Sequence, residues 1–82
     1  MDDQPTTLWK LGRDGNFVSC RVRLVPYGIE VDLTHNGSLI LTRAFETGEE
    51  AHAWAQTKRA AREAQGWEHV PLDPSERPAN LV

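Results

Sequence analysis

A chain of 82 residues has room for one small domain, and its net charge of −3 disfavours a nucleic-acid partner, because such affinity comes mostly from positive charge meeting phosphate. The single cysteine, Cys20, excludes an intrachain disulfide and a cysteine-based zinc site. No apolar run approaches the about 20 residues needed to span a bilayer.

Met1 to Pro5 reads as a disordered leader, acidic and lacking the apolar segment of a signal peptide. With one unpaired cysteine, it predicts a cytoplasmic location. From Thr6 the pattern is extended. "TTLWKLG" is followed by "RDGN" and then by the alternating "FVSCRVRLV". Asp14-Gly15 is a two-residue hairpin signal, since both central residues of a type I′ turn need positive φ. Pairing about it sets Leu11 opposite Val18 and Trp9 opposite Cys20. Trp9, Leu11, Val18, Cys20, Val22 and Leu24 then share one face.

After Pro26-Tyr27 a third strand, "GIEVDLT", turns Ile29, Val31 and Leu33 inward and Glu30, Asp32 and Thr34 outward. His35-Asn36-Gly37-Ser38 closes the next hairpin, and "SLILTRAF" is strand four. Then the period changes to that of a helix. Thr47 and Glu50 form a capping box, and Gly66 stands where a left-handed C′ residue belongs, with Trp67 folding back on the last turn. Trp54, Thr57, Ala60, Ala61 and Ala64 form the predicted buried stripe, with Trp54 meeting Trp9 across the core. The segment 68–82, holding three of the five prolines, is predicted to be an extended or disordered tail. The predicted fold class is α+β: a four-stranded antiparallel β-meander followed by one C-terminal helix packed on one face (ββββα), over residues 6–67.

The candidate chemistry is sparse. In "CRVRLVPYGIEVDL" the predicted register sets Arg23 against Glu30 and Arg21 against Asp32 on the solvent side. Such cross-strand pairs are worth a few tenths of a kcal/mol, about 0.2–1, and hold register rather than react. Lys58, Arg59 and Arg62 complement the helix dipole better than they form a phosphate site. His35, His52 and His69 have no metal-ligand spacing, so no metal is expected. There is no GxGxxG and no GxxxxGK[ST], hence no nucleotide loop and no expected cofactor. No nucleophile–base pair is visible, and the chain is expected not to be an enzyme.

Strand four carries the functional question. With a two-residue turn at Asn36-Gly37, Ile40 faces the helix, and Leu39, Leu41 and Phe45 form an apolar strip on the open face, with Arg43 beside Glu30. A bulge at Gly37 reverses that parity. The first register is preferred because it keeps Arg43 in water. An exposed apolar strip marks a contact. The expected function is therefore a small protein-interaction module. It dimerises or docks on a larger protein through Leu39, Leu41 and Phe45, with Arg21, Arg23, Glu30, Asp32 and Arg43 around them. Trp67, Val70 and Leu72 of the tail are a second candidate contact. The alternative is a single-stranded nucleic-acid binder using Lys10, Phe17, Arg21, Arg23, Tyr27 and Arg43. A ββββα unit resembles, in topology only, the repeats of PUR and whirly-type single-strand binders. No membrane partner is expected.

Overall fold

The computed structural model describes residues 6–72. Five strands and one helix follow in the order β1 (Thr6–Arg13), β2 (Asn16–Val25), β3 (Gly28–His35), β4 (Ser38–Phe45), α1 (Gly48–Glu63) and β5 (Glu68–His69). The sheet is antiparallel with order β4-β3-β2-β1-β5, and α1 lies on one face. This is the ββββα fold with one short strand added. The predicted leader, residues 1–5, and the last ten residues, 73–82, lie outside the described residues.

Turn chemistry sets the hairpins. Asp14 and Gly15 have φ of 51° and 82°, and Asn36 and Gly37 have 51° and 87°, as two-residue primed turns require. The first turn pairs Leu11 with Val18 and Trp9 with Cys20. The Pro26-Tyr27 turn pairs Val25 with Gly28, and so Arg23 with Glu30 and Arg21 with Asp32. Alternation then delivers Trp9, Leu11, Val18, Cys20, Val31 and Leu33 to one face, all nearly or fully buried. Leu24 shares that face but stays exposed. It pairs with Ile29, whereas β1 reaches only to the level of Val22.

The helix presents a different stripe from the predicted one. Ala51 and Ala55 are its buried residues, whereas Thr57, Ala60, Ala61 and Ala64 are exposed. The stripe is rotated by roughly a third of a turn. The reason is Trp9: its ring fills the space over the sheet, so the residues opposite must be small. Its Nε1–H donates to the Ala55 carbonyl at 3.1 Å. Trp54 does not stack on Trp9 but flanks the core, with its ring 5.7 Å from that of Phe45.

The helix ends behave as their sequence dictates. Thr47 Oγ1 accepts from the Glu50 N–H at 3.2 Å. At the other end Gly66, at φ 97°, donates to the Glu63 carbonyl, and Trp67 donates to that of Arg62. That is a Schellman closure. Trp67 then packs against the core and meets His35 edge-on, 6.2 Å between ring centroids. The chain continues into β5, which pairs Gly12 with Glu68 and Leu11 with His69. The start of the predicted tail is thus a sheet strand.

Strand four follows neither predicted register. The two-residue turn is kept, with His35 against Ser38 and Thr34 against Leu39, but a bulge follows and Leu33 pairs with Leu41. The parity of everything beyond it reverses. Leu41, Arg43 and Phe45 align with Leu33, Val31 and Ile29 on the helix side, and only Leu39 remains on the open face. The physical conflict is plain: the Asn36-Gly37 turn demands one phase, and burial of Phe45 against Trp54 demands the other. One extra residue reconciles them.

Candidate functional site

Among the described residues no helix or strand packs on the sheet face opposite α1. By strand register its outward residues include Thr7, Lys10, Gly12, Phe17, Ser19, Arg21, Arg23, Glu30, Asp32, Thr34, Leu39, Thr42, Ala44 and Glu68. They divide into two halves.

At the Tyr27 end the charges satisfy one another. Arg23 pairs with Glu30, and its Nε lies 3.4 Å from Asp32 Oδ2. Tyr27 donates its hydroxyl to Glu30 Oε2 at 2.7 Å, which holds the phenol proton and raises the tyrosine pKa. Thr42 donates to Asp32 Oδ1 at 2.8 Å. Both acids are thus engaged by Arg23 and by hydroxyls, the behaviour of a register clamp.

At the opposite end lies a depression of about 400 Å³ lined by Lys10, Phe17, Ser19, Arg21, Thr34, Asn36 and Gly37. Ser19 and Thr34 pair across β2 and β3 and are nearly buried, forming the floor. Phe17 is braced on Gly12: a Cβ there would sit 3.2 Å from the ring. Asn36 locks the rim. Its N–H donates to the Phe17 carbonyl at 2.7 Å, its Oδ1 accepts from the Phe17 N–H at 2.8 Å, and its Nδ2 donates to Asn16 Oδ1 at 3.1 Å. The third hairpin turn is thereby tied to the first. Sequence reading missed this tie, although a turn Asn is the residue type that reaches neighbouring backbone.

The structure redistributes the predicted interaction residues. Phe45 is half-buried against Trp54, and Arg43 lies 5.5 Å over the Phe45 ring, on the helix side and away from Glu30. Leu39, Ile40 and Leu41 are 60%, 49% and 42% exposed, but along the edge of β4 rather than as one strip on the open face. Trp67 is spent on the core, and Val70 is held to the sheet by its N–H donating to the Lys10 carbonyl at 2.9 Å. Leu72 is half-buried at the last described position.

Of the predicted nucleic-acid set, Lys10, Phe17 and Arg21 are brought together. Arg23 and Tyr27 are committed to the acids, and Arg43 is on the other face. The helical cations are separated: Lys58 lies 5.2 Å over the Trp54 ring and Arg59 pairs with Glu63 at 3.1 Å. Arg62 is half-buried, and its charge is felt by Cys20. Burial pushes the Cys20 thiol up to about 12, helped by Asp32 and opposed by Arg62, so it is protonated at neutral pH. Among the described residues no three His, Cys, Asp or Glu side chains gather to hold a metal, and no helix is long and apolar enough to cross a membrane. Comparison of the chain with protein-family profiles, with curated proteins and with solved structures finds no match.

Proposed function

We propose that this chain is a non-catalytic protein-interaction module that self-associates along the open edge of β4. The observation that carries the reading is the run Leu39-Ile40-Leu41: three consecutive large apolar residues, all exposed, on an edge strand. Exposed edges are normally protected by charge or proline. In β4 Arg43 is the one charged residue, and there is no proline. A second copy is the favoured occupant because antiparallel pairing of identical strands about a two-fold is self-complementary. Only a register centred on residue 43 would oppose two arginines; the others set Arg43 against an uncharged neighbour.

The bulge disturbs the ladder with β3 at Leu33/Thr34 and leaves Leu41–Phe45 in regular register with that strand. Light scattering on the purified chain tests the reading. The expected mass is that of a dimer, and Ile40→Lys is expected to give a monomer with unchanged circular dichroism. A wild-type monomer throughout the micromolar-to-millimolar range would sink it.

A further inference from the structure

We infer that the depression between Phe17 and Arg21 on the open sheet face binds a nucleobase carrying a phosphate. Among the described residues Arg21 is an unused cation. Arg21 stands opposite Asp32 in the β2–β3 register. Yet Asp32 Oδ2 is taken by Arg23 at 3.4 Å and Oδ1 by the Thr42 hydroxyl at 2.8 Å. Among the described residues nothing forms an ion pair or hydrogen bond with the Arg21 side chain, and it is exposed. Arg23, one pleat away, has taken both acids. That leaves a planar guanidinium with donors suited to a phosphate.

The opposite wall is an aromatic platform. Phe17 is 44% exposed, braced on Gly12 from one side, and its backbone is fixed in both directions by Asn36. A ring already held loses little freedom when a base stacks on it. Between platform and guanidinium run the hydroxyls of Ser19 and Thr34, and Lys10 lines the same wall. Among the described residues no acidic side chain lines this depression, although the chain as a whole is acidic. A cation, hydroxyls and a stacking ring within one cavity of about 400 Å³ match a single nucleotide unit better than a bare anion or a bare ring.

The unit has two sources, a free nucleotide or a single strand. Titration of the ¹⁵N-labelled protein at low salt with inorganic phosphate, adenosine monophosphate and a thymidine oligomer of about eight nucleotides separates them. Both productive arms are expected to shift amides of residues 17–21 and 34–37. Saturation by the mononucleotide assigns the free ligand; saturation by the oligomer alone assigns the strand. Phe17→Leu keeps apolar cover on Gly12 and is expected to weaken binding about tenfold. Arg21→Gln is expected to weaken it and, for the oligomer, to reduce the log–log salt slope by about 0.7. Shifts confined to other regions, phosphate binding as tightly as the nucleotide, or wild-type affinity in both variants would overturn the inference. The site is independent of the β4 edge, so Ile40→Lys is expected to bind as wild type.

Discussion

At the scale of single residues, four positions carry large consequences for stability. Trp9 is buried and donates to the Ala55 carbonyl at 3.1 Å. Trp9→Phe removes that donor and leaves a void beside Ala55. A loss of about 2 kcal/mol is expected in urea unfolding. Gly28 and Gly66 make a contrast. Both have positive φ, 148° and 97°. A Cβ on Gly28 would lie 2.2 Å from the Phe45 carbonyl oxygen, whereas one on Gly66 meets only the Arg13 side chain at 3.8 Å. Gly66→Ala is expected to cost the left-handed backbone penalty, about 1–2 kcal/mol. Gly28→Ala adds a backbone clash where β3 meets the end of β4. It is expected to cost about 3 kcal/mol or more by the same assay. Cys20 makes stability depend on pH. Its native thiol keeps its proton up to about 12, while the unfolded thiol ionises near 9. The unfolded state therefore binds fewer protons between those values, and stability falls as pH rises through the window. Relative to Cys20→Ala, whose curve lacks this contribution, wild type is expected to lose up to about 1.4 kcal/mol per pH unit above pH 9.

At the scale of elements, the helix and strand four show how local chemistry meets packing. Thr47 accepts from the Glu50 N–H, so Thr47→Ala is expected to lower the urea midpoint by the equivalent of about 1 kcal/mol without changing the m-value. Both helix ends were legible from Thr47 and Gly66, because caps depend on residues within one turn. The buried face was not. Alanines occur on every side of α1, so periodicity alone leaves its rotation open, and Trp9 on a distant strand decides it. Strand four repeats the lesson. Each of its local signals was readable: the Asn36-Gly37 turn, the apolar run, and Phe45 as an anchor. They conflict by one residue in phase, and a bulge resolves the conflict. No count of alternation places a bulge, since its position depends on which side chains have space above the sheet.

At the scale of the molecule, a core of eight buried apolar side chains among the described residues leaves limited stability, which association would raise. If β4 pairs with its own copy, the thermal midpoint is expected to rise by roughly several degrees over a hundredfold increase in concentration. In Ile40→Lys it is expected to stay flat. Scanning calorimetry at two concentrations checks this. The two faces of the sheet then have separate tasks. One is closed by α1 and Trp67. The other sorts its charges into a satisfied clamp around Arg23 and a depression that keeps Arg21 available.

The strand order of the meander, its primed turns, the caps and the Arg23–Glu30 and Arg21–Asp32 register were determined by the sequence alone. Each arises from interactions between residues close along the chain or directly across one tight turn. The tertiary structure alone decided the rotation of α1, the bulge in β4, the docking of β5 on β1 and the choice of Arg23 over Arg21 as partner of Asp32. Those outcomes depend on which of several compatible neighbours reaches a group first in space. The stretch Arg21 to Asp32 shows both sides: alternation paired its charges correctly by position, but only side-chain geometry left one arginine over.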